Sequence, residues 1–211
     1  MPAAPLDARE RSELCDLMLA AGPDAPTLCA GWDVIDLAAH LVIREHDLRA
    51  PLIILGGDRF TGLESRLMGS AKSRGLEPLV DRLRTGPPLP WRTPGLRPLL
   101  NLNEWFVHHE DVRRAGGPAA PRADRPDLDA ALWHHVRTAA RFMLRSVRDA
   151  RVVLVAPGHG EVAHGKGPAA RVVGGPQELV LYLNGRRTAA QVEIEGDAGV
   201  RAALEMARFG I

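Results

Sequence analysis

Apolar residues recur at helical spacing through roughly the first 150 positions and at strand-like spacing only beyond them. Leu14, Leu17 and Met18 share one face of a segment expected to run from Asp7, as its cap, to about Ala21, where Gly22 and Pro23 stop it. Ile35, Leu37, Ala38, Leu41 and Val42 mark a second helix, with Asp33 as its N-cap and the charged run Arg44 to Asp47 as its emergence into solvent. His40 lies inside that apolar stretch. Weaker periodic patterns at about 60–73 and 76–84 predict two more helices. A short apolar segment, Pro51 to Gly57, precedes them, and a Pro-rich passage from Gly86 to Pro94 follows and reads as a loop. A helix from about Pro98 to Ala115, closed by Gly116, Gly117 and Pro118, and a long one from Asp127 to Asp149 complete the helical part.

After Asp149 the pattern changes to short β-rich pieces separated by glycine-bearing turns: Val152 to Ala156, Glu161 to His164 and Arg171 to Val173. A helix from Gln177 to Leu183, a strand from Gln191 to Glu195 and a last helix from Asp197 to Arg208 follow. The fold class read from this order is α+β, with a helical bundle over residues 1–150 and a small α+β domain over residues 151–211. A domain that small is marginal alone, so it is expected to pack on the bundle.

Composition narrows the function. With 45% apolar residues in 211, the chain can bury an ordinary core. A formal charge of +1, with acidic and basic residues intermixed, gives no field toward nucleic acid or an anionic membrane. No apolar run reaches the length of about 18 residues of a spanning helix, and the first residues lack the apolar stretch of a signal peptide, so the expected location is the cytoplasm. Cys15 and Cys29 are the only cysteines and read as reduced thiols. Arg far outnumbers Lys, and Ala, Gly and Pro are abundant, a bias that points to a high-GC bacterium.

The candidate chemistry sits in the Pro98–Ala115 helix. Glu104 and His108 stand four residues apart, so their Cβ atoms lie roughly 5 to 6 Å apart on one face, and ligand bonds of about 2 Å can bring both to one zinc-like ion. A third ligand must come from another helix, as in bundle metal sites, and His40 is the best placed. Spacing alone leaves a solvated Glu–His pair as the alternative. Trp105, Phe106 and Val107 add apolar bulk around the pair and predict a semi-buried position. His109 points about 100° away and reads as a surface or interface histidine. Asp111, three after His108, is expected either to hold that ring's other nitrogen or to pair with Arg113 or Arg114. Asp36, one turn before His40, carries the same two readings. His134 and His135 read as ordinary helix residues.

Two further features give way to plainer readings. Gly160 to Lys166 matches a phosphate-loop spacing, but Gly167 stands where a Ser or Thr should be and a strand pattern follows instead of a helix. The segment is therefore a glycine-rich hairpin. Cys29, just ahead of the second helix, reads as a small buried thiol, with ligation or reactivity as the alternative if a cation lies near it.

The run Thr27-Leu-Cys-Ala-Gly-Trp-Asp-Val-Ile-Asp-Leu-Ala-Ala-His-Leu41 and the later Glu104-Trp-Phe-Val-His-His-Glu-Asp-Val112 resemble the mycothiol-dependent maleylpyruvate isomerase family of the DinB-like metal-binding superfamily. The resemblance implies a DinB-like four-helix bundle followed by a small C-terminal α+β domain. It also implies a divalent ion, usually zinc, held by His40, Glu104 and His108, and a thiol cofactor, mycothiol, acting with a small-molecule substrate. The activity implied is a mycothiol-dependent isomerase or thiol transferase. A metal-dependent hydrolase, a non-catalytic metal-stabilised module and a small-ligand-binding module are the alternatives. Arginines of the second domain, and the Pro-rich insert around Trp91, have no match in the family pattern, so the substrate is not inherited with the name.

Overall fold

A computed structural model describes residues 4–50, 61–86, 97–117, 119–207 and 209, without side-chain detail at 97–100. Within these residues the chain is α+β, with eight helices and one four-stranded mixed sheet. The apolar segment from Pro51 and most of the Pro-rich passage lie outside the described residues. Packing divides the chain into two compact units, Met1–Gly116 and Gly117–Ile211.

The first unit is helical: α1 Leu6–Ala21, α2 Val34–His46, α3 Thr61–Lys72, α4 Leu76–Thr85 and α5 Arg97–Arg113. Helix α1 starts after Pro5, with Asp7 in its first turn instead of at the cap, and ends at Gly22, whose φ of 87° is open to glycine at no steric cost. Asp33 caps α2 from an extended backbone, and its N–H donates to the Asp36 carboxylate at 3.2 Å. Leu14 and Met18 from α1, Leu37 and Leu41 from α2, Leu79 and Leu83 from α4, and Trp105 from α5 meet in one core. Burying each apolar side chain of that size contributes roughly 1.5 to 3 kcal/mol. Helix α1 packs along α5 and α4, and α2 packs along α3 and α4.

The second unit holds α6 Pro126–Met143, then β1 Arg151–Ala156, β2 Gly160–Gly165, β3 Ala169–Val173, α7 Pro176–Leu183, β4 Glu193–Gly196 and α8 Ala198–Met206. The sheet order is β2-β1-β3-β4, with β1 parallel to β3 and the other pairs antiparallel. All eight residues of α7 are buried. Helix α6 packs on α7, and the Gln177 amide joins the Arg122 carbonyl to the Asp129 carboxylate. The change of periodicity near residue 150 thus marks where strands begin, while the division by packing falls at Gly116, because α6 finds its partner in α7.

The phosphate-loop look-alike is β2 and the turn after it, and β3 follows where a helix would be needed. At Gly165 φ is 82°, and a Cβ there would collide with the Ala150 carbonyl oxygen. Gly165→Ala is therefore expected to lower stability by about 2 kcal/mol, read as a fall in the urea midpoint. An unchanged midpoint would mean that the β1–β2 register adapts. Among the described residues, no helix is long and apolar enough to cross a membrane.

Candidate metal centre

Helix α2 delivers His40, because Val34, Leu37, Ala38, Ala39 and Leu41 anchor its apolar face and leave the imidazole at the edge of the core. Helix α5 delivers Glu104 and His108 from between the fully buried Trp105 and Phe106 and the buried Val107. Glu104 is half-buried as expected, whereas His108 is buried: their side chains are 25% and 10% exposed. Their closest approach, His108 Nε2 to Glu104 Oε2, is 3.8 Å.

The fold brings His40 to the same place. Its ring centroid lies 5.8 Å from that of His108, edge-on at 70°, and Trp32 packs against its other side at 5.0 Å. Two imidazoles on one tetrahedral ion, each bound at about 2.0 to 2.1 Å, have centroids roughly 5 Å apart, and a bound carboxylate oxygen lies roughly 3.4 Å from a bound nitrogen. The two separations seen here, 5.8 Å between the rings and 3.8 Å from His108 to Glu104, are both wider than that. Among the described residues, the tighter groupings of ligand atoms, all within 4.8 Å of one another, are Cys29 with His108 and Asp111, and Glu10 with Glu13 and His109.

Asp111 holds the imidazole, one of the two readings its position allowed. Its buried carboxylate takes the His108 Nδ1 at 2.9 Å and the Cys29 thiol at 3.2 Å on the same oxygen, while Arg113 and Arg114 both donate to Glu110. A carboxylate accepts and does not donate, so Nδ1 carries a proton, and Nε2 is the nitrogen on the Glu104 side. Cys29 is half-buried and bonded into this network instead of lying inert in the core. A backbone bond from Leu28 N to Asp111 O, 2.9 Å, pins the same turn to α5. Sequence gave no sign of this contact, because Cys29 and Asp111 are 82 positions apart. Asp36 takes the ion-pair reading, with Lys72. His109 is a correction: it is buried, with Nδ1 3.3 Å from the Glu10 carboxylate on α1, because the far face of α5 is covered.

Electrostatics favours the neutral ligand form of His40. Desolvation, then the neighbouring His108 ring and the Arg44 guanidinium, pull its pKa from 6.5 down to about 3. In chelator-treated protein this makes folding acid-sensitive. Above about pH 6.5 the ring is neutral in both states; below it the unfolded chain protonates first, and each pH unit removes about 1.4 kcal/mol until the folded value near 3 is reached. Wild type should lose about 2 kcal/mol more than His40→Gln between pH 7 and 5, measured by urea unfolding. Equal losses would mean that His40 protonates freely in the folded state.

Asp111→Asn tests the support of His108. Loss of an outer partner of a ligand histidine lowers metal affinity about 10- to 100-fold, read by competition with a chromophoric chelator. Unchanged affinity would show that Asp111 only ties the turn to the helix.

No protein-family model matches the chain, and no curated protein matches it. Solved structures do. The crystal structure of a histidine-to-alanine mutant of the mycothiol-dependent maleylpyruvate isomerase is similar with a TM-score of 0.60 at 16% identity, over 92% of both chains. Another crystal structure of the mycothiol-dependent maleylpyruvate isomerase gives 0.56 at 15%, again over 92% of each. The resemblance carried by the two sequence motifs therefore holds at the level of architecture: the chain has the fold of the mycothiol-dependent maleylpyruvate isomerase.

Proposed function

We propose that the chain is a divalent-metal enzyme, zinc being the fitting ion, that acts with a low-molecular-weight thiol such as mycothiol on a small molecule as an isomerase or thiol transferase. In this reading His40, Glu104 and His108 are the ligands, and the first unit is a DinB-like four-helix bundle. The observation that carries it is the approach of His40 on α2 to His108 on α5, at 5.8 Å between rings, beside a carboxylate one turn away. The donor set suits a zinc-like ion: two neutral imidazoles and one carboxylate, with His108 held by Asp111 in the tautomer that frees Nε2. Three ligands leave a coordination position for an incoming molecule. A dication there would lower the pKa of a bound thiol or water, supplying a nucleophilic anion at neutral pH.

The chain's own groups do the rest. Trp32 packs one side of His40 and limits solvent access. Glu104, 25% exposed, forms the open side, and His108 is buried beside it. The test is metal content of the purified protein, followed by thiol-dependent turnover of small unsaturated acids. Stoichiometric metal with turnover that requires both ion and thiol supports the reading; a metal-free protein of full stability sinks it.

A second reading, a structural ion in a non-catalytic module, is favoured by the tighter Cys29, His108 and Asp111 grouping. Cadmium separates the two. Binding through Cys29 gives a thiolate charge-transfer band that Cys29→Ser removes, whereas binding through His40 and Glu104 gives none.

A further inference from the structure

The segment before α2 closes on itself as a compact turn. The Val34 N–H donates to the Ala25 carbonyl at 2.9 Å, and Pro26 and Asp33 face each other as an isolated antiparallel bridge, so the chain leaves and returns at one point. Inside this turn the hydroxyl of the half-buried Thr27 is the hub. It accepts from the Cys29 N–H at 3.1 Å and donates to the Trp32 carbonyl at 2.8 Å, and a hydroxyl, with one proton and two lone pairs, does both at once. The main chain adds a bond across the same turn, from Trp32 N to Cys29 O at 3.0 Å.

Each residue so held leads to one imidazole. Trp32 packs on His40, with ring centroids 5.0 Å apart and tilted by 51°. The Cys29 thiol donates at 3.2 Å to the Asp111 oxygen that also takes His108 Nδ1 at 2.9 Å. The two rings come from different helices, α2 and α5, yet a single hydroxyl reaches both. A valine in place of Thr27 has the same shape but neither donor nor acceptor, so it would take a bond from the Cys29 N–H and another from the Trp32 carbonyl.

We propose that Thr27 is a positioning residue of this site: acting through its neighbours, its hydroxyl fixes the ring of His40 by way of Trp32 and the ring of His108 by way of Cys29 and Asp111. That the two rings bind an ion rests on the metal-site reading above; that Thr27 places them rests on these contacts alone.

The test follows the imidazole proton signals of the chelator-treated full chain by NMR, and Zn²⁺ affinity by competition with a chromophoric chelator. Trp32→Leu should move the His40 signals more than those of His108, Cys29→Ala should do the reverse, and Thr27→Val should move both, with Thr27→Ser restoring them. Thr27→Val should also lower Zn²⁺ affinity about 10-fold, the lower end of what loss of an outer partner costs, with Thr27→Ser close to wild type. Gly75→Ala is the control for stability alone, since a side chain at its φ of 85° is strained yet meets nothing within 4 Å; it should unfold at lower urea and keep both the signals and the affinity. Unmoved imidazole signals in Thr27→Val, or an affinity that falls as far in Gly75→Ala as in Thr27→Val, would overturn the assignment. Should Thr27→Val not fold, the single variants decide, and wild-type Zn²⁺ affinity in both Trp32→Leu and Cys29→Ala would equally overturn it. Failure of wild type to take up Zn²⁺ would sink the metal-site reading, and the signals of Thr27→Val would then decide this proposal alone.

Discussion

His108→Ala is expected to abolish binding of the divalent ion proposed for this site, whereas His109→Ala, one residue away, is expected to leave it intact. The contrast follows from helix geometry. Neighbouring residues diverge by about 100°, and here the divergence sends His108 toward His40 and Glu104 and His109 toward Glu10 on α1. Removing a ligand imidazole leaves Glu104 and His40 with no third donor at that position. The fall in affinity should exceed the roughly 100-fold that loss of an outer partner can cause. Chelator competition with Zn²⁺, alongside elemental analysis of each variant, measures it. Retention of a full equivalent of metal by His108→Ala with loss by His109→Ala would move the ion to the Glu10, Glu13 and His109 grouping on the opposite face.

Glu110→Ala should lower the stability of the protein by about 3 to 5 kcal/mol. Glu110 is fully buried and accepts from Arg114 at 2.5 Å, and Arg114 itself is only 1% exposed. Truncating the carboxylate strips the buried guanidinium of that bond, and removing one member of a buried charge pair costs far more than the pair itself contributes. Arg113 also donates to Glu110, and both arginines sit at the C-terminal end of α5, where cations suit the helix dipole. The control is Asp16→Ala. Asp16 pairs with Arg84 at the same 2.5 Å, but the Asp16 side chain is 68% exposed and that of Arg84 36%, so the expected loss is under about 1 kcal/mol. Urea unfolding of the two variants at neutral pH decides the matter; similar losses would mean that burial does not govern the energetics of these pairs.

The two pairs show why ion pairing is not legible from spacing alone. Glu110 stands three and four residues before Arg113 and Arg114, and Asp111 stands three before Arg114; Glu110 accepts from both arginines and Asp111 pairs with His108. What surrounds each side chain is set by what covers each face of α5. On one face the turn carrying Leu28 and Cys29 closes over Asp111; on the other, α1 closes over His109. Neither partner is near in sequence.

Local chemistry settled a good deal before any tertiary contact. Glycine and proline stops, the Asp33 cap and apolar periodicity placed α1, α2 and α5 within a few residues, because these signals act over one or two helical turns. The α+β class followed from the change of period after Asp149, and the Glu104–His108 spacing followed from 3.6 residues per turn. Long-range packing decided the rest: that α6 joins α7, that His40 meets His108, that Cys29 reaches Asp111, and that Arg44 stands over Glu104. The physical reason is range. Backbone propensity and side-chain period are properties of neighbouring residues, whereas a site drawn from positions 29, 40, 104, 108 and 111 exists only once two helices and a turn have buried their apolar faces against a common core.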